Sequence, residues 1–255
     1  MAKVIVITNQ KGGVGKTTTT VNLAGYLAKS GQRVLLIDLD PQGNSTSGLG
    51  IDKNSVKLSL YDVLVRETLI RDIRIKTDVK GLDLAPASVV LAAAEVELAS
   101  QIAREHRLKQ AIDKVKDEYD YVIIDSPPSL GILTVNGLVS ADSILIPVQT
   151  EFYALEGLSQ LLHTVQRVRI SLNPSLILLG VLLTMYNKNT LLSRQVESEV
   201  KKHFPNKVFD TIIPRNIRLA EAPSYGKTIM NYDKFGKGAV AYKQLAKEVH
   251  FKCNQ

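Results

Sequence analysis

Two lysines share one short glycine-rich stretch, "NQKGGVGKTTTT" at residues 9–20, and lysine among glycines is chemistry suited to phosphate. Gly12, Gly13 and Gly15 let main-chain N–H groups turn inward around an anion, and a helix starting there adds positive potential. In the phosphate-loop pattern G-x-x-x-x-G-K-[ST] the lysine faces the β- and γ-phosphates and the next hydroxyl can ligate Mg²⁺. Lys16 and Thr17 hold those places, with Val14 inside the loop and Thr18 following it. The first glycine of the pattern is replaced by Gln10, and a second lysine, Lys11, stands directly before Gly12. One lysine already serves one nucleotide, so Lys11 needs a different task.

Carboxylates fall where such a loop would need them. "LLIDLDPQGN" places Asp38 at the end of an apolar run and Asp40 just beyond it, and "YDYVIIDSPPSLG" ends a second run with Asp125. An aspartate closing four apolar residues is the Walker B arrangement, whose carboxylate reaches the metal, commonly through a water. Asp125 takes that role, and Asp38 is a second candidate for the metal. Pro41 and Gly43 put Asp40 in a loop, free to orient an attacking water. The plainer reading of each aspartate is a capping or turn residue.

Side chains so far apart in the chain need a sheet to gather them. Short β-branched or leucine-rich runs at 3–8, 33–38, 81–87, 121–125, 143–149, 176–185 and 207–214 alternate with amphipathic stretches at 17–30, 88–117, 153–171, 190–203 and 237–250. Alternation of this kind predicts an α/β fold, a mostly parallel twisted sheet with helices on both faces. Continuous apolar runs such as "YVIID" fit strands buried on both sides. The spacing predicts one domain over residues 1–255, with no N-terminal helix-turn-helix because the first strand begins at residue 3.

Composition narrows the class. Hydrophobic content of 45% can fill a core, and no apolar run is long enough to cross a bilayer. The chain opens directly into "KVIVIT" without signal-peptide features, and Cys253, its single cysteine, can form no internal disulfide; both fit a reducing cytoplasm. A formal charge of +7 suits a polyanionic partner as well as an ordinary basic surface.

Taken together, "KGGVGKTTTTVNLAGYLAKSGQRVLLIDLDPQGNSTSGLG", "YDYVIIDSPPSLG" and "IIPRNIRLAEAPSYGKTI" resemble the deviant Walker A, switch I, switch II and C-terminal nucleotide motifs of the ParA/Soj partition ATPases, a branch of the P-loop NTPases. The resemblance spans nearly the whole chain. It implies a prokaryotic, cytoplasmic and nucleoid-associated ATP hydrolase of weak basal activity that uses ATP and Mg²⁺. It further implies a homodimer closed by ATP, non-specific DNA binding by that dimer, and a ParB-like centromere-binding partner that stimulates hydrolysis. Lys11 resembles the signature lysine that reaches the other subunit's phosphates. A cation so placed stabilises charge developing on the γ-phosphate, as arginine fingers do. Pro214 and Asn216 match residues that hold the adenine end, with Met185 as their neighbour.

Arg218 matches an arginine the family uses on DNA. The chain departs from the pattern after "LLTMY", where "NKNT" leaves Lys188 as the cation, and in "NYDKFGKG", which lacks the usual proline and arginine. Lys227, Lys234, Lys237, Lys243 and Lys247 are further cations that could share phosphate contacts. Such contacts are salt-sensitive and sequence-blind. Two alternatives stay open: a membrane-associated positioning ATPase of the MinD type, and a regulatory nucleotide-binding switch with negligible turnover. The tail "AYKQLAKEVHFKCNQ" reads better as a helix packed on the sheet than as a membrane-surface helix. One cysteine cannot hold an iron–sulfur cluster, and the four histidines lack metal-ligand spacing.

Overall fold

A computed structural model describes residues 2–151 and 156–254. Seven strands form one sheet: β1 (Lys3–Ile7), β2 (Val34–Asp38), β3 (Ile75–Lys76), β4 (Leu82–Ala85), β5 (Tyr121–Asp125), β6 (Ser143–Gln149) and β7 (Ile177–Thr184). Their order is β3-β4-β2-β5-β1-β6-β7, parallel throughout except for β3 against β4. The central strands are Val, Ile and Leu at almost every position because both faces are covered. Val4, Val6, Leu35, Ile37, Val122 and Ile124 point into one core. Ile5, Ile7, Leu36, Tyr121, Ile123 and Leu145 point into the other.

The helices divide between these two cores. On the second lie α1 (Lys16–Lys29), with Leu23 and Leu27, and, further along the chain, α10 (Ile217–Glu221), α11 (Ile229–Tyr232) and α12 (Lys237–Cys253), the last contributing Tyr242 and Leu245. The first core takes α3 (Leu60–Arg66), α4 (Ile70–Ile73), α6 (Arg107–Asp113), α7 (Ile132–Ser140), α8 (Glu156–Ser171) and α9 (Leu191–His203). Two short helices, α2 (Asn44–Gly48) and α5 (Ala94–Glu97), follow β2 and β4. The chain leaves β1 for the glycine loop, β2 for the Asp40 loop and β5 for the Ser126–Gly131 loop at the same sheet edge. Ligands of open parallel sheets bind at such an edge.

Two expectations change. The run at 207–214 is not a strand: it meets the sheet edge at the isolated bridges Val181–Val208 and Tyr186–Pro214, with a further bond from the Ile213 N–H to the Leu183 carbonyl at 2.9 Å. Its apolar residues are spent on packing, since Phe209 lies over Gly180, where a Cβ would come within 2.7 Å of the ring. The stretch 88–117 is not one helix but short α and 3₁₀ turns around α5 and α6, broken where Ala103 takes a φ of 54°. The helix expected over 153–171 is α8, and residues 153–155 of it lie outside the described residues.

Candidate nucleotide site

Register brings the carboxylates together. Asp38 pairs with Asp125 across β2 and β5, and Asp125 pairs with Ile7, which is two residues from Asn9 at the start of the glycine loop. Both carboxyls are fully buried. The Ser45 hydroxyl donates to Asp125 Oδ2 at 2.7 Å and the Thr20 hydroxyl to Oδ1 at 3.2 Å. Burial pushes Asp125 up to about 6, although hydrogen bonds from Ser45 and Thr17 pull the other way. Burial and then the charge of Asp125 push Asp38 further up, to about 8. Two carboxylates crowded in this way favour a nearby cation.

Asp38 is already occupied. The Thr46 N–H and hydroxyl both donate to its Oδ2 at 2.7 Å. It therefore anchors α2 and the loop after β2 through this oxygen. That loop carries Asp40, also buried, whose Oδ1 accepts the Gln42 N–H at 2.9 Å while Gly43 turns the chain with a φ of 62°. Among the described residues no hydrogen bond is seen to the other carboxylate oxygen of Asp40.

The glycine loop is held at both ends. Asn9 donates to the Pro147 carbonyl at 2.7 Å and accepts the Lys11 N–H at 3.0 Å, and the Thr184 hydroxyl donates to the Val14 carbonyl at 2.8 Å. Gly13 and Gly15 have φ of 75° and 88°, which other residues rarely adopt. A Cβ on Gly12 or Gly13 would meet nothing within 4 Å, so the loop is an open cradle. α1 begins at Lys16 with no side-chain cap, leaving first-turn N–H groups for an anion. Thr17, with its hydroxyl, stands at this same turn. Glycines, uncapped helix start, lysine, hydroxyl and carboxylate together fit a nucleotide triphosphate with a divalent cation.

The two lysines diverge. Lys16 is buried and its Nζ donates to the Lys11 carbonyl at 3.1 Å, inside the cradle. Burial lowers its pKa while Asp125 and Asp40 pull it back up. The Lys11 side chain leaves the cradle for Glu151, 3.5 Å from its Nζ, at side-chain exposures of 34% and 45%. Arg215 reaches the same carboxylate at 3.6 Å.

Beside Gly15 and Thr18 opens a cavity of about 300 Å³ lined by Met185, Pro214 and Asn216, with Thr184, Leu219 and Tyr242 also in its wall. Tyr186 and Arg215 bond across its rim, Tyr186 N–H to the Ile213 carbonyl and Arg215 N–H to the Tyr186 carbonyl, both at 3.0 Å. Asn216 Oδ1 accepts the Arg218 N–H at 2.8 Å and so caps α10. Arg218 is exposed and paired with Glu221 at 3.0 Å, and Lys188 is exposed in the loop before α9. Sequence reading did not single out Thr20, Ser45, Thr184 or Glu151. Glu151 had one signal: it follows β6 at the same sheet edge as the other site residues.

A family model described as an AAA domain matches residues 2–178. The chain is 59% identical over 249 residues to the sporulation initiation inhibitor protein Soj of Bacillus subtilis, covering 98% of each chain. It is 51% identical to the chromosome partitioning protein ParA of Caulobacter vibrioides, covering 97% of this chain and 93% of that one. Among solved structures, cobyrinic acid a,c-diamide synthase from Mycobacterium smegmatis with bound ATP analogue and magnesium superposes with a TM-score of 0.88. It shares 38% identity over 100% of this chain and 98% of its own.

Proposed function

This chain belongs to the Soj/ParA family of chromosome-partitioning ATPases, and from that premise we propose that it is an ATP-operated partition switch. ATP closes a homodimer, the dimer holds DNA through its phosphates, and hydrolysis stimulated by a ParB-like partner releases it. The observation that carries this reading is the divergence of the two loop lysines. Lys16 points into its own cradle, whereas Lys11 points out of it, to a half-exposed ion pair with Glu151. A pair of that kind contributes about 0.2 to 1 kcal/mol, so Lys11 leaves Glu151 readily for a phosphate presented by a second subunit.

Each residue then has a task. The N–H groups of Gly12 to Thr18 and the Lys16 ammonium bind the phosphates, and the cavity at Met185, Pro214 and Asn216 takes the adenine. Thr17 would hold Mg²⁺ directly and Asp125 through a water. When bound, that ion neutralises charge on the β- and γ-phosphates. Asp40 holds and polarises the attacking water, and Lys11 of the partner subunit stabilises negative charge as the bond to the leaving oxygen breaks. Slow basal turnover follows if this constellation is complete only in the closed, partner-engaged dimer. Arg218 and Lys188 supply phosphate contacts on the outside of the dimer, which would place the working protein on the nucleoid.

Sedimentation and DNA mobility shift with ATP and Mg²⁺ test the reading. The wild type is expected to dimerise and shift DNA only with ATP, and Lys11→Ala to do neither while still binding nucleotide. A dimer that forms equally without ATP, or binding to liposomes in place of DNA, would refute it.

A further inference from the structure

A second cavity, of about 580 Å³, lies away from the nucleotide site, between the C-terminal end of α1 and the outer face of α12. Its distance from the glycine loop is the length of α1, roughly 20 Å. The volume falls in the range of true binding pockets. Tyr26, Met230, Phe235 and Val240 supply apolar lining, and Lys29, Lys234, Lys243 and Lys247 surround it. Phe235 is 87% exposed and Val240 47% exposed. No acidic side chain lines the cavity, and none of the four lysines has an ion-pair partner among the described residues. Lys234 Nζ lies over the Phe235 ring, 5.4 Å from its centroid.

Unpaired like charges around uncovered apolar surface are costly to maintain and complementary to one kind of occupant. We infer that this groove seats an acidic amphipathic segment of a protein partner, its apolar side chains on Phe235 and Val240 and its carboxylates on the four lysines. A nucleic-acid backbone would satisfy the lysines but has nothing to cover an exposed phenylalanine and valine. The ammonium ring steers the segment and the apolar floor holds it. The site is separate from the ATP-binding cradle and does not depend on the reading of that cradle.

Fluorescence anisotropy on the full chain provides the test. The probe is a labelled synthetic helix-forming peptide with leucines on one face and glutamates on the other, compared with its lysine-for-glutamate counterpart and with a labelled DNA duplex. The glutamate peptide is expected to bind and the lysine peptide not. Phe235→Ser with Val240→Ser, both exposed and neutral changes, is expected to weaken the peptide by roughly tenfold or more while leaving DNA binding unchanged. Lys243→Gln with Lys247→Gln is expected to weaken the peptide as well. Absence of glutamate-peptide binding, equal binding of the lysine peptide, or unchanged peptide binding by the serine variant would each overturn the proposal. So would an equal loss of DNA binding in the serine variant, which would assign the face to nucleic acid.

Discussion

Replacing Asp40 by asparagine and by alanine separates the turn contact seen for this side chain from the catalytic role proposed for it. Its Oδ1 accepts the Gln42 N–H at 2.9 Å, shaping the turn after β2, while the same carboxylate is the base proposed to hold the attacking water. Asparagine keeps the acceptor and loses the base; alanine loses both. Loss of one such hydrogen bond costs about 0.5 to 1.5 kcal/mol. In a chain of this size each kcal/mol lowers the melting temperature by roughly 2 to 4 °C. Asp40→Asn is therefore expected to melt with the wild type, and Asp40→Ala a few degrees below it. Both are expected to lose roughly a hundredfold to ten-thousandfold in stimulated phosphate release, the range of a positioned general base. Both should still shift DNA with ATP, and more persistently than the wild type because the release step is blocked. The assay is phosphate release with ATP, Mg²⁺ and DNA, run beside thermal melting and mobility shift. Wild-type turnover by Asp40→Asn, with a loss confined to Asp40→Ala, would show that Asp40 only builds the turn.

Two further outcomes follow from the contacts. Thr46→Val keeps the shape of the side chain but removes the hydroxyl that donates to Asp38 at 2.7 Å and accepts the Ala87 N–H at 3.0 Å. Two buried groups lose a partner, at a cost of about 2 to 4 kcal/mol, measurable as a fall in the urea midpoint at unchanged slope. Arg218→Gln is expected to weaken ATP-dependent DNA binding similarly for all sequences and to lower its salt dependence by about one counterion per subunit, read from binding across a salt series. An unchanged salt dependence would remove Arg218 from the DNA face.

What the sequence disclosed was local. The glycine loop is contiguous, and "NQKGGVGKTT" carries its own turn geometry, so the cradle and its two lysines are readable without a fold. The strands "KVIVI", "VLLID" and "YVIID" are equally plain because both their faces are buried. Partnerships that depend on register were not legible. Nothing in "GNSTSG" says that Ser45 will reach Asp125, since that contact exists only once β2 and β5 lie side by side, or that the turn after β2 will fold Thr46 back onto Asp38. The opposite error came from apolar content read as strand: "KVFDTIIP" is apolar because Phe209 and Ile213 are buried, and its main chain meets β7 at isolated points without forming a continuous ladder. Glu151 was passed over for a similar reason, as its meaning lies in Lys11, far away in the chain and 3.5 Å away in space.

The central claim is that Lys16 serves its own subunit's nucleotide and Lys11 the neighbour's, and mixing two inactive variants tests it directly. A dimer of one Lys11→Ala subunit and one Lys16→Ala subunit has one complete site if Lys11 acts across the interface, and none if it acts within its own subunit. Each variant alone is expected to be inactive in stimulated phosphate release. An equimolar mixture is expected to recover turnover that neither variant shows alone, up to about half the wild-type rate, because each mixed dimer keeps one of its two sites intact. No recovery, under conditions where mixed dimers are detected by sedimentation, would contradict the account.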